Sequence, residues 1–174
     1  MHGAKGLLNS FLSDVYINLD QRKREVAGEC SGFGIVLWAE TKEGIFYSAE
    51  ATSDPEGSKQ SQPVIPTELG NKAASHLLNQ IYLGGCVDQS AQAAALTMMA
   101  LEGGHNASQL LISAPTPYTV SSLRLIRQCL GVTFDLAYKE MEESAQENGS
   151  EMTPPPLIAT CFGSGLKNVN LSIL

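Results

Sequence analysis

The stretch Gly84-Gly85-Cys86-Val87-Asp88 constrains this chain more than any other. Ahead of it lies an apolar-periodic run from Thr67 to Tyr82, which the double glycine should end. A glycine just past a helix takes the left-handed conformation that other residues resist. Beyond it, Asp88 is placed to cap a second helix running to about Leu101, because an N-cap carboxylate accepts hydrogen bonds from the first free backbone N–H groups. Two helices therefore meet at this joint, and the halves they close differ. Met1 to Leu83 holds three strand-like runs and a closing helix, whereas Gln89 to Leu174 alternates helix and strand.

Along the first half, Gly3 to Leu12 reads as the end of a helix cut off on its N-terminal side, with Leu7, Leu8, Phe11 and Leu12 on one face. Val15, Ile17 and Leu19 alternate with Tyr16 and Asn18 as a strand, and a polar loop follows from Asp20 to Ser31. A strand from Ile35 to Ala39, a turn at Lys42-Glu43-Gly44 and a strand from Ile45 to Ala51 form a hairpin. Thr52 to Pro66, rich in proline and serine, reads as a long loop. In the helix from Thr67, the positions Leu69, Ala73, Leu77, Leu78 and Ile81 make one buried stripe.

In the second half, Ala91, Ala94, Ala95, Met98 and Met99 suit a helix lying close to a sheet. Strands are expected at Leu110–Ser113, Val132–Leu136 and Leu157–Phe162, with a helix from about Thr119 to Leu130 stopped by Gly131. The segment 139–156, acidic and ending in three prolines, reads as a flexible excursion.

Hydrophobic residues make up 43% of the 174, enough for a packed core. No apolar run approaches the ~18 residues that span a bilayer, so the chain reads as soluble and intracellular, without membrane partners. Formal net charge is −7, which argues against a broad electrostatic grip on nucleic acid. Much of that charge is concentrated in the acidic segment, which leaves Arg22-Lys23-Arg24 and the pair Arg124 and Arg127 as local basic features able to touch RNA or a partner.

Chemistry-bearing motifs are sparse. Gly32-x-Gly34 and Gly163-x-Gly165 are too short for a dinucleotide fingerprint and read as bulges or turns. His76 and His105 have no acid or thiol at ligand spacing, so no metal site is expected. Cys30, Cys86, Cys129 and Cys161 stand far apart in or beside apolar runs and read as reduced, buried thiols. Ser113 and Ser121 have no recognisable base partner.

Taken in order, Ser31-Gly-Phe-Gly34, Ala39-Glu40-Thr41, Pro66-Thr-Glu-Leu-Gly70, the joint Gly84–Asp88, and Pro117-Tyr-Thr119 resemble the RNA 3′-terminal phosphate cyclase superfamily, and more closely its eukaryotic cyclase-like branch. The resemblance covers nearly the whole chain and matches the C-terminal half of the family protein. It implies a partial cyclase-like α/β (α+β) fold. Residues 1–83 would be a small α/β domain inserted into the third of three βαβαββ units, and residues 86–174 that third unit, lacking its first strand.

In true cyclases a histidine accepts AMP from ATP, and an Asp-Gln pair sits on the helix after the joint. The matching positions here are Tyr118, Ala93 and Ala94. A phenol, neutral at about pH 7, is a poor substitute for imidazole in forming a phosphoramidate. The resemblance thus implies a non-catalytic relative needing no cofactor, with Gly84, Gly85 and Asp88 as structural residues. The branch acts in small-subunit pre-ribosomal RNA processing in the nucleolus, alongside a GTPase partner. The alternatives are an ATP-dependent cyclase, or an RNA-cleaving activity tied to an Arg-Asp-x-Lys run. Here that run reads Arg124-Leu125-Ile126-Arg127, which keeps the basic positions and lacks the acid.

Overall fold

The computed structural model describes residues 1–27, 32–53, 65–103, 106–139 and 155–166. They form two compact units, Met1–Tyr82 and Leu83–Leu174. The expected loop after Thr52, the acidic excursion, Cys30 and His105 fall wholly or largely outside the described residues.

The first unit contains α1 (His2–Leu8), α2 (Arg24–Ala27), β1 (Gly34–Glu40), β2 (Phe46–Thr52) and α3 (Pro66–Leu83). Strands β1 and β2 pair antiparallel, with Leu37 opposite Ala49 and Trp38 opposite Ser48. Strict alternation sends Leu37, Tyr47 and Ala51 inward and Val36, Trp38, Phe46 and Glu50 outward. Proline opens α3, where its missing N–H costs nothing, and Glu68 lies in the first turn, favourable to the helix dipole. The expected stripe is the buried one: Leu69, Ala73 and Leu77 join Leu8, Leu37 and Tyr47 in the core, with Leu78 and Ile81 packed against it.

Three expectations fail in this unit: first, α1 ends at Leu8 and not Leu12, and Phe11, expected on its apolar face, is 70% exposed. Val15 to Leu19 is not a strand. Val15 and Ile17 do pack on the core, so the alternation reflects alternating burial, but among the described residues no strand stands beside it to turn an extended segment into a ladder. Residues 24–27, expected to be loop, form a single helical turn.

The second unit contains α4 (Gln92–Leu101), β3 (Ser108–Ile112), α5 (Pro117–Leu130), β4 (Asp135–Tyr138) and β5 (Leu157–Cys161). This helix-strand-helix-strand-strand order is the expected one, and with two small antiparallel sheets among the described residues the chain is α+β. The sheet runs β3-β5-β4, antiparallel throughout, with Leu110 and Leu136 both opposite Ala159. Its core joins Leu96, Ala100 and Ile126 from the helices to Ile112, Leu157, Ala159 and Cys161 from the sheet.

Here too the structure corrects particulars. The buried face of α4 is Gln92, Ala93, Leu96 and Ala100, while Ala94 and Met98 are exposed, so the small-residue face read from the sequence is not the one that packs. Val132 and Phe134 are core anchors that precede β4 rather than its ladder residues, which begins at Asp135. Cys161 is buried as expected, but Cys86 and Cys129 are exposed free thiols. The Gly163-Ser164-Gly165 segment folds back on the end of α4: the Ser164 N–H and hydroxyl donate to the Ala100 carbonyl at 2.8 and 3.0 Å, and the Gly165 N–H donates to Glu102 O at 3.1 Å. Carbonyls left open at a helix C-terminus are thus satisfied from a distant segment. A Cβ at Gly163 would overlap the Glu102 carbonyl, so only glycine fits there.

Candidate functional site

The joint, the start of α4 and the turn from β3 to α5 converge within the second unit. After α3, Gly84 and Gly85 both take positive φ, 70° and 100°. Gly85 lies so close to the end of β3 that a Cβ would stand 2.8 Å from Ser113 N, and the next residue, Cys86, donates its N–H to Leu111 O at 2.8 Å. Asp88 is buried and its Oδ1 accepts from Ala91 N at 2.9 Å and from the Ser90 hydroxyl at 2.5 Å. It therefore caps the turn that leads into α4, not the helix itself, which starts at Gln92 with Ala91 in the N-cap position. The expected helix cap is thus a turn cap, three residues ahead of the N-cap position.

From this platform two glutamines hold the β3–α5 turn. Gln89 Nε2 donates to Ala114 O at 3.2 Å. Gln92, fully buried, donates through Nε2 to Ser113 Oγ at 2.9 Å and Ser113 O at 3.3 Å, and its Oε1 accepts from Thr119 Oγ1 at 2.9 Å. Thr119 has one hydroxyl proton and gives it to Gln92, so in the 2.9 Å contact between Thr116 Oγ1 and Thr119 Oγ1 the Thr116 hydroxyl is the donor. Thr116 Oγ1 in turn caps α5 by accepting from Thr119 N at 3.1 Å, and Pro117 occupies the first helical position. Among the described residues no buried side-chain nitrogen or oxygen is left without a partner. A satisfied buried network of this kind fixes one geometry, because each partial alternative strands a polar group in low dielectric.

Tyr118 stands directly outside this network, 67% exposed on the first turn of α5, and its carbonyl accepts from the Ser122 hydroxyl at 2.9 Å. Of the two α4 positions matched to the cyclase Asp-Gln pair, Ala93 is buried and Ala94 exposed, and neither side chain has a polar atom. Ser113 is spent on the network rather than free as a nucleophile, and Ser121 is exposed. Arg124 and Arg127 are exposed farther along α5, bracketing Leu125, itself 58% exposed. An open groove of about 380 Å3 runs between α4 and α5, lined by Thr97, Leu101, Ser122, Leu125, Cys129 and Leu130. Burial, and then the Glu102 carboxylate, push the Cys161 thiol up, which keeps it protonated and unreactive.

In the other unit, Arg22 and Lys23 are exposed, and Arg22 pairs with Asp20 at 3.0 Å on the surface. The third residue of that basic run, Arg24, opens the short helix α2. Among the described residues no group of His, Cys, Asp and Glu could hold a metal ion, and no helix is long and apolar enough to cross a membrane.

The network was missed in the sequence because Gln92 sits in an alanine run. The signal that could have found it is spacing: Gln92, Leu96 and Ala100 fall four apart, which puts a polar amide on the buried face and requires partners for it.

Residues 1–82 match the family described as the RNA 3′-terminal phosphate cyclase insert domain. A probable RNA 3′-terminal phosphate cyclase-like protein of Drosophila melanogaster is 37% identical over 174 residues, covering 100% of this chain and 45% of that protein. The human RNA 3′-terminal phosphate cyclase-like protein is 36% identical over 98% of this chain and 43% of its own length. The rRNA processing protein rcl1 of Schizosaccharomyces pombe is 29% identical over 99% of this chain and 42% of its own. The chain thus spans less than half the length of these relatives. Residues 1–82 are thus similar to the RNA 3′-terminal phosphate cyclase insert domain, and the chain over its whole length is similar to cyclase-like proteins.

Proposed function

We propose that this chain serves ribosomal RNA processing as a binding factor that keeps the cyclase architecture without adenylylation chemistry. Residues 1–83 act as the insert domain and residues 86–174 as the third βαβαββ unit, lacking its first strand. The observation that carries the reading is the trio Tyr118, Ala93 and Ala94, which adjoin in sequence Thr119 and Gln92, whose buried polar groups are already committed to one another. A phenol in place of the nucleophile and two methyl groups in place of an acid-amide pair offer neither a phosphoramidate former nor a group to activate one. The fission-yeast relative is named for rRNA processing, which supports pre-ribosomal RNA as the setting. Within that setting we assign the chain to the small-subunit processome in the nucleolus, with a GTPase as protein partner. The exposed face of α5 carrying Arg124 and Arg127 is one contact region, and the run Arg22, Lys23 and Arg24 of the other unit is a second. Cleavage of RNA is not part of this assignment: Leu125 stands where the run proposed for cleavage has its acid, so that position supplies no carboxylate.

Incubation with α-labelled ATP followed by denaturing electrophoresis tests the chemistry. The protein should remain unlabelled, and a stable AMP adduct would overturn the reading in favour of an ATP-dependent cyclase.

A further inference from the structure

The β1–β2 hairpin has an outward face of mixed aromatic and acidic character. It presents Val36, Trp38 and Glu40 from β1 and Phe46, Ser48 and Glu50 from β2. Trp38 is 67% exposed and Phe46 54%, and their rings lie 6.0 Å apart in a tilted pair. A bare aromatic pair on a two-stranded sheet is costly to leave in water, and its surroundings select what can cover it. Glu50 stands opposite Val36 and Glu40 opposite Phe46, so the indole lies between two carboxylates. Residues two apart on a strand are ~6.8 Å from each other, and diagonal neighbours across an antiparallel pair ~7 to 8 Å, so both carboxylates can reach a cation lying on the ring. The outward positions of the two strands carry no lysine or arginine; in the turn, Lys42 is offset by Glu43.

From this charge pattern we infer that the hairpin face binds an extended, arginine-bearing peptide segment. A guanidinium stacks on Trp38 through the cation–π interaction while Glu40 and Glu50 accept its N–H donors, and an apolar neighbour two residues along covers Phe46 or Val36. The strand-like spacing of a peptide in extended form matches the two-residue repeat of the face. RNA bases could stack on the same rings, but their phosphates would meet two carboxylates; a second copy of the chain would bring four carboxylates together.

Trp38 is the sole tryptophan, so its emission reports this face directly. The full chain is titrated with an alternating Arg-Val peptide, alongside an alternating Glu-Val peptide, oligouridylate RNA and vesicles of phosphatidylcholine with phosphatidylserine. The Arg-Val peptide should shift the emission to the blue and saturate, weakening with salt, while the other three leave it unchanged. The double variant E40Q/E50Q retains the reporter and should bind about tenfold more weakly, since exposed pairs of this kind are each worth a fewfold. Trp38→Ala should abolish heat of binding in calorimetry. No emission shift with the Arg-Val peptide, or unchanged affinity in E40Q/E50Q, overturns the inference. A shift produced by RNA, by vesicles or by raising the protein concentration alone overturns it equally, and would assign the face to that occupant.

Discussion

Replacing Gly85 with alanine tests how the joint is built. The residue sits at φ 100°, and its added Cβ would lie 2.8 Å from Ser113 N, 3.2 Å from Ile112 C and 3.4 Å from Ile112 Cα, all backbone atoms that cannot rotate away. The left-handed conformation alone costs an L-residue ~1–2 kcal/mol. Relieving the overlap means moving the joint off β3, which gives up the Cys86 N–H to Leu111 O hydrogen bond, net ~1 kcal/mol. It also shifts Ser113, through which Gln92 is held, at a further cost of about 1 kcal/mol. The expected loss is about 3–4 kcal/mol, a large part of the stability of a typical domain. Gly84→Ala is the control: φ there is 70°, but nothing lies within 4 Å of its Cβ, so only the conformational cost of ~1–2 kcal/mol applies. Both changes reduce unfolded-chain entropy alike, so the difference between them isolates the collision. Urea denaturation followed by circular dichroism gives the two free energies, and amide exchange at Leu110–Ile112 locates the effect. Equal losses for the two variants would show that the joint does not press on β3.

Gln92→Leu keeps about the same volume but removes the amide that Ser113 Oγ accepts from and Thr119 Oγ1 donates to, leaving Thr119 Oγ1 with Thr116 alone; it should cost about 2–4 kcal/mol, and adding Thr119→Val should restore part of that loss, as the same denaturation curves would show. Because burial raises the Cys161 thiol above its unfolded value, the folded chain holds that proton more tightly than the unfolded one. Its contribution is therefore complete below the unfolded pKa and lost as pH rises through the folded one. Stability measured across the alkaline range should fall less steeply in Cys161→Ala than in the parent chain.

What could be read from the sequence was what chain geometry dictates locally. Pro66, Pro117, Gly84 and Gly131 mark helix boundaries because a missing N–H or a positive φ has few other uses, and α3, α5 and the hairpin lie close to where those residues put them. What could not be read depended on distant partners. Val15 to Leu19 alternates like a strand yet pairs with none among the described residues, since alternation records which side faces the core and not whether a neighbour is there to bond. Val132 and Phe134 look like ladder residues for the same reason. The position of Tyr118 was legible, but the Gln92–Ser113–Thr119 network beneath it was not, because its members are separated by 21 and 27 residues and none is unusual alone.

The strand order β3-β5-β4 has a consequence for how the second unit is made. Neither β3 nor β4 pairs with the other; each pairs with β5, which is synthesised after both. The carbonyl of Ala100 likewise waits for Ser164, 64 residues downstream. On a ribosome delivering the chain from its N-terminus, α4 and α5 would emerge with no completed sheet to pack on and with the end of α4 frayed. The unit would then close in one late step, when β5 slots between two strands that are already waiting and the Gly163–Gly165 segment seals the helix behind it.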